Sequence, residues 1–387
     1  MDTQGMSINC KGAVLWSYNE PLVIEDIQVA PPKSNEIRVK VAAVGVCHTD
    51  YTLVKGLGSG FGPLPVVPGH EGAGIVESVG NGVKRFEPGD HVVMIPAPQC
   101  DNCEICLAPG NYCCVHGKEI RVPTRGNHFD GTKRFSSKGK ELSCMFGVSS
   151  FIEYTVVHET MAQKVDPDIP FDELCLFGCC VPTGYFSAAH TGAVTKDSVC
   201  AVFGLGAVGL TAIMACRSNG AKRIIAIDIN PAKFEVAKIC GATDFINPKD
   251  YDDQPMADVI EKLIGSLCDV TIECVGLQET VKDAFLCSHS SYGVCVVNGA
   301  LPAGKDINIP AFELLRGRTI KGAILGGKKT LDGLKELCDL YKAKQLNLDA
   351  LITHRMTLEQ VNEALDILEQ GKRNGHNSLF KWFDAGR

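Results

Sequence analysis

The sequence predicts an α/β plus β protein in which a parallel, doubly wound sheet interrupts an irregular, mostly antiparallel part. Two changes of texture carry this reading. Up to about Pro182 short apolar segments alternate with Gly and Pro, whereas from about Ser198 strand and helix patterns alternate with one another. The length of 387 residues also exceeds one ordinary core and points to two domains.

The elements follow in chain order. Segments 12–16, 36–44, 72–79, 91–95 and 151–157 read as strands, being short, mostly apolar and bounded by turn residues. Segment 199–203 is a continuous apolar run, as expected of a strand buried on both faces. Helical patterns at 207–219, 232–240 and 256–263 then interleave with strand patterns at 223–228, 270–274 and 293–297. The last stretch holds two helical patterns, 331–342 and 358–370; it is too short to stand alone and is expected to return to the first part.

Composition excludes several classes. A net charge of −7 argues against a nucleic-acid partner, because phosphate contacts need clustered Lys and Arg. No run of about 18 apolar residues is present to span a membrane. Residues 1–10 carry no apolar leader core, so a cytoplasmic location is expected. There the 19 cysteines stay reduced, and clustered ones bind metal or do redox work.

The strand at 199–203 runs directly into Gly204-Leu205-Gly206-Ala207-Val208-Gly209. This is the dinucleotide-binding pattern of a Rossmann unit: one glycine turns, the next admits the pyrophosphate to a helix N-terminus, and the third lets helix and strand pack. Asp228 ends the following strand, where a carboxylate accepts from the adenine ribose and repels a 2′-phosphate, so NAD is expected rather than NADP. Lys233 is a candidate to steady the adenosine side, with a solvated helix lysine as the alternative.

Two sets of soft ligands precede that turn. Cys100, Cys103, Cys106 and Cys114 have the spacing of a closed, four-thiolate structural zinc. Cys113 adjoins Cys114 and is the competing fourth ligand. Cys47, His70 and Cys179 lie in separate loops; singly each reads as a core residue, but as a set they offer three ligands and an open position, the arrangement that leaves zinc Lewis acidic toward an alcohol or carbonyl oxygen. Metal and nicotinamide together point to hydride transfer.

Over nearly its whole length the chain resembles the zinc-dependent alcohol dehydrogenases of the medium-chain dehydrogenase/reductase family, in particular the animal class I, II and III forms. The resemblance rests on the stretches 45–50, 69–80, 88–90, 99–106, 151–157, 178–179 and 183–185, the glycine turn and 317–319. It implies a GroES-like catalytic domain at 1–182 and 325–387, with a structural-zinc lobe at about 96–118, around an inserted Rossmann domain at 183–324. It implies two zinc ions per subunit, NAD, a small alcohol or aldehyde substrate and a homodimer joined along the nucleotide domains. Cys47, His70 and Cys179 then hold the catalytic zinc, with Glu71 close by. Asp50 accepts the outer N–H of His70, and Thr49 takes the alcohol proton. His48 approaches the pyrophosphate, while Val208 and Thr183 press on the nicotinamide.

The chain departs from its relatives in places. Residues 51–53 lack the histidine that passes the proton outward in some members, and segment 57–65 is longer and glycine-rich. Cys180 replaces a usual glycine, and Pro96 stands where an aromatic commonly narrows the pocket. Met145 and Phe146 read as pocket wall or as core. An arginine usual near the C-terminus is missing from 371–376, with Arg373 as the available substitute. A competing substrate reading is the glutathione-dependent formaldehyde dehydrogenases, which share the Cys-His-Thr-Asp form and an Arg like Arg121; their substrate is S-(hydroxymethyl)glutathione.

Overall fold

The structure, a computed structural model, describes residues 3–57, 61–108, 114, 126–252, 254–302 and 304–374, with side chains to residue 371. Its described strands form three sheets. The first part contributes β1 (Ile8–Val14), β2 (Val23–Val29), β3 (Glu36–Gly45), β4 (Val66–Val67), β5 (Glu71–Val79), β6 (His91–Met94), β7 (Phe135–Ser137), β8 (Lys140–Cys144), β9 (Tyr154–His158) and β10 (Ala162–Lys164). They pair as β1-β2-β7-β8-β4 and β10-β6-β5-β3-β9. All of these pairs are antiparallel except β4 with β8.

The second part is a sheet of six parallel strands in the order β13-β12-β11-β14-β15-β16. These are β11 (Val199–Phe203), β12 (Arg223–Ile227), β13 (Asp244–Ile246), β14 (Val270–Glu273), β15 (Val294–Val297) and β16 (Thr319–Gly322). The chain steps outward from β11 to one edge and then from β14 to the other, so the sheet reverses direction between β11 and β14. That switch point is where a crevice opens at the carboxyl ends of the strands. The GroES-like part and the Rossmann-type parallel sheet are therefore both present.

The last stretch does return. Met356, Val361, Leu365 and Leu368 are buried against Leu15, Val44 and Leu53 of the first part. Full burial of each such aliphatic side chain contributes roughly 1.5–3 kcal/mol. The expected boundary between 182 and 183 falls inside the helix Cys180–Phe186, and that between 324 and 325 inside the turn Ile324–Gly327. One continuous core, from Phe177 through Val181 and Val202 to Leu334, runs beneath both junctions.

Candidate functional site

Strand register brings the first two ligands together. In the antiparallel pair β3–β5, Gly45 stands opposite Glu71, so Cys47 just beyond one strand and His70 just before the other meet at the same sheet end. A Cβ on Gly45 would lie 2.2 Å from Glu71 Oε2, which explains the glycine. Cys179 arrives from the turn Cys175–Gly178, which crosses the same end and leads into the helix Cys180–Phe186. One ligand atom from each of Cys47, His70, Glu71 and Cys179 lies within 4.8 Å of the others.

The outer nitrogen of His70, Nδ1, is 2.9 Å from Asp50 Oδ1, and Asp50 Oδ2 accepts the Cys47 N–H at 3.0 Å. Nε2 of His70 and both carboxylate oxygens of Glu71 are buried without a hydrogen-bond partner. Orphaned acceptors beside two sulfurs are costly unless a cation takes them, so these residues fit a zinc ion. Burial and then the Cys47 sulfur push the Glu71 carboxyl well above its ordinary range. A hydrogen bond with Cys179, aided by His70, holds Cys47 well below the usual thiol range, and the same bond together with burial raises Cys179. Burial opposes a charge on His70, but Asp50 and Cys47 raise it well above the ordinary imidazole value. Metal binding at thiols and imidazoles requires their deprotonated forms, so zinc uptake at such a cluster releases protons.

Thr49 Oγ1 is 3.6 Å from Cys47 Sγ and partly exposed. Phe146, at a left-handed φ of 50°, puts its ring edge toward His70 at 6.1 Å between centroids and leans on Phe61 at 5.3 Å. Met145 is fully buried in the core behind them, so of the two proposed wall residues only Phe146 faces the cluster. Cys180 is buried, and its thiol donates to the Leu176 carbonyl at 3.5 Å.

The helix Cys180–Phe186 joins the cluster to the glycine turn. Gly184 packs so closely on the helix Ala207–Ser218 that a Cβ would lie 2.1 Å from the Val208 carbonyl. Thr183, whose hydroxyl donates to the Cys179 carbonyl at 2.7 Å, and Val208 thus sit on facing helices between metal ligands and dinucleotide turn. His48 opens the helix His48–Val54 and is exposed. In the turn, Gly204 has φ +87°, and a Cβ on Gly209 would meet the Gly204 carbonyl at 1.9 Å. Gly206 is the N-cap and Ala207 the first residue of the helix that follows.

Asp228 is buried, and its Oδ2 accepts from the Leu205 N–H at 2.8 Å and from Lys233 Nζ at 2.9 Å. Lys233 is therefore a mostly buried partner of Asp228, not a solvated helix lysine. A carboxylate has lone pairs for further donors. One contributor was not read from sequence: Glu273, fully buried at the end of β14, accepts from the Val275 and Gly276 N–H groups and from Thr280 Oγ1. It shapes the loop facing Gly204. Its only signal was an acid closing an apolar strand.

The second set, Cys100, Cys103, Cys106 and Cys114, also brings its sulfurs within 4.8 Å of one another. Cys106 N–H donates to Cys103 Sγ at 3.3 Å. Four thiols around one point fit a tetrahedral zinc. Cys113 and Arg121 lie outside the described residues, as do the side chains of Arg373 and His376.

Comparisons agree with this geometry. Residues 33–167 match the alcohol dehydrogenase GroES-like domain, and residues 207–364 match the zinc-binding dehydrogenase domain. An alcohol dehydrogenase zinc-binding domain protein from Burkholderia ambifaria is 32% identical over 97% of this chain and 99% of that one, with a TM-score of 0.87. Benzyl alcohol dehydrogenase from Acinetobacter calcoaceticus is 29% identical over 98% and 100%, with a TM-score of 0.84. A zinc-binding dehydrogenase target from Sinorhizobium meliloti 1021, bound to NADP, shares the fold at 22% identity over 97% and 100%, with a TM-score of 0.75. No described helix is long and apolar enough to cross a membrane.

Proposed function

We propose, on the premise that this chain belongs to the medium-chain zinc-dependent alcohol dehydrogenase family, that it is an NAD-dependent enzyme interconverting primary or secondary alcohols with aldehydes or ketones. The observation that carries this is the convergence of Cys47, His70, Glu71 and Cys179 on one point, beside a helix that abuts the glycine turn. Zinc held there supplies Lewis acidity and a nicotinamide supplies the hydride acceptor.

The chain's own residues do the rest. Two Cys anions balance the charge of a divalent ion, and Asp50 fixes His70 so that Nε2 faces the cluster. Thr49, partly exposed beside Cys47, accepts the substrate's hydroxyl proton and releases it toward solvent. Thr183 and Val208 fix the ring that receives hydride. Asp228, held by Lys233 and Leu205, selects the ribose hydroxyl of NAD over a phosphate, although the fold itself also accommodates NADP. Glu71 offers an alternate oxygen ligand. Cys100, Cys103, Cys106 and Cys114 hold a second zinc.

The Phe61–Phe146 wall favours apolar, planar alcohols over a charged glutathione adduct. A second copy of the chain is expected along the edge of β16, which pairs with no further strand among the described residues and is flanked by Phe312, Leu315 and Ile324, 70%, 81% and 67% exposed. All described cysteines are free, in keeping with a reducing, cytoplasmic setting.

The test is a panel of ethanol, benzyl alcohol, cyclohexylmethanol, secondary alcohols, and formaldehyde with and without glutathione, each with NAD and NADP. Benzyl alcohol with NAD should give the highest kcat/KM. Strict dependence on glutathione would transfer the assignment to S-(hydroxymethyl)glutathione oxidation, and no turnover of any alcohol would overturn the reading.

A further inference from the structure

Gln99, the residue before the first cysteine of the closed lobe, spends its whole side chain on a distant helix. Its Oε1 accepts from the Leu331 N–H at 2.8 Å and the Asp332 N–H at 3.3 Å. Its Nε2 donates to Asp332 Oδ1 at 3.0 Å and to Asp101 Oδ1 at 2.7 Å, inside the lobe. Thr330 Oγ1 adds a bond to the Ala97 carbonyl at 3.1 Å. The first-turn N–H groups of a helix have no intrahelical acceptor. The helix Thr330–Lys342, whose flanking Lys329 makes no side-chain cap, therefore takes its cap from Gln99, 3% exposed and more than two hundred residues away in sequence.

That helix presses on the catalytic cluster's own support. A Cβ on Gly333 would come 2.7 Å from Phe186 Cε2, and a Cβ on Gly326 2.5 Å from Phe186 Cβ, so the Phe186 side chain is gripped from two sides. Lys328 Nζ closes over its ring at 4.8 Å. Phe186 is the last residue of the helix whose N-cap is Cys179. A continuous chain of packed contacts thus runs from Cys100 through Gln99, the helix Thr330–Lys342 and Phe186 to Cys179.

We propose that Gln99 is a positioning residue that couples the four-cysteine lobe to the Cys47–His70–Cys179 cluster, so that an intact lobe sets the seat of Cys179 and the rate at which the cluster gives up its metal. Packed interiors transmit displacement because they have little room to absorb it. The proposal rests on the metal-site reading above for the identity of both ends.

The test uses the full chain loaded with cobalt, whose visible spectra separate a four-sulfur from a two-sulfur site. Metal is counted first: fewer than two ions per unmodified chain defeats the two-site reading itself. With both sites filled, Gln99→Leu should speed chelator release from the two-sulfur site about fivefold or more, the range of a modest coupling energy. Asp332→Asn, which keeps the acceptor oxygen for Gln99 Nε2, should release its metal at nearly the normal rate. Gly333→Ala touches only the far end of the chain of contacts; it should speed the same release while leaving the lobe's metal as tight as before. If Gln99→Leu does not fold, Gln99→Glu, which keeps Oε1 for the helix N–H groups but loses the Nε2 donor to Asp101 and Asp332, takes its place and should speed the same release. Release from the two-sulfur site unchanged in the variants that fold, even with lowered thermal stability, would overturn the coupling.

Discussion

His70 and Asp50 form a fully buried pair, Nδ1 to Oδ1 at 2.9 Å, and the other Asp50 oxygen holds the backbone N–H of Cys47. One carboxylate therefore orients two members of the cluster that flank different strands. Asp50→Ala should weaken zinc binding at this cluster by about 10–100-fold, the usual effect of losing such a partner. Competition with a chelator of known affinity measures it, and unchanged affinity would remove Asp50 from the site's design. Asp50→Asn, which keeps one acceptor oxygen but puts an N–H donor where the other stood, should fall between.

Thr49 is expected to handle the substrate proton. Thr49→Val should lower kcat by about 10²–10⁴, the range for losing a positioned proton acceptor, while leaving NADH binding intact. Thr49→Ser should retain most of the activity. A Thr49→Val enzyme with normal turnover would mean that water alone takes the proton.

Cofactor choice should follow Asp228. Two unit charges 4 Å apart at an effective dielectric of 20 repel by about 4 kcal/mol, an upper bound near a thousandfold. Lys233, 2.9 Å from the carboxylate, offsets part of this. Asp228→Gly is thus expected to raise the NADP-to-NAD ratio of kcat/KM by about 100-fold. Steady-state kinetics with both cofactors checks it; no change would place the discrimination elsewhere.

Arg134 is 0% exposed and makes a two-pronged contact with Glu36, at 2.8 and 2.7 Å, while also reaching Asp130. Arg134→Met leaves the buried Glu36 carboxylate without its charge partner, though the Lys33 N–H still donates to it, and should cost about 3–5 kcal/mol in urea unfolding. Smaller losses would show that water reaches Glu36.

The same network gives a pH dependence. Burial opposes the charge on Asp130, but hydrogen bonds from Lys33, Thr132 and Arg134 hold its carboxyl far below the usual range. A depressed folded value means stability that is present above the unfolded pKa of about 4 and is lost as pH falls toward the folded one. Asp130→Asn should therefore lower Tm at pH 7, and the gap to the parent should close in strong acid. A gap that stays constant down to pH ~2 would contradict this assignment.

Much of the site was legible because its chemistry depends on residue type. The glycine turn needs its glycines at fixed places, and Asp228 follows because the next strand must end beside it. Thiols and imidazoles in loops announced both clusters, and Cys114 stands with Cys100, Cys103 and Cys106. What was missed had patterns that packing overrides. Strand β2 carries a buried Glu25, satisfied by Trp16, Ser137 and Lys138, which spoils its apolar alternation. The helix Cys180–Phe186 contains Pro182 and Gly184, signals that argue against a helix. Yet Pro182 lies in the first turn, where no N–H is needed, and Gly184 is required by the approach of Val208. Gln99 opens a stretch shared with the family, but its partners Leu331 and Asp332 lie far off in sequence; only the return of the chain to it reveals those contacts.

The pairing of Gly45 with Glu71 bears on biosynthesis. Cys47 and His70 can be placed as soon as β3 and β5 have met, but Cys179 is translated more than a hundred residues later. Until Cys179 is made, a nascent chain can offer Cys47, His70 and Glu71 but lacks the second thiolate, for about 5–20 s at ordinary ribosomal speed. Firm metallation must wait for the completed first part, and truncated translation products ending before residue 179 should leave the ribosome without a retained catalytic ion.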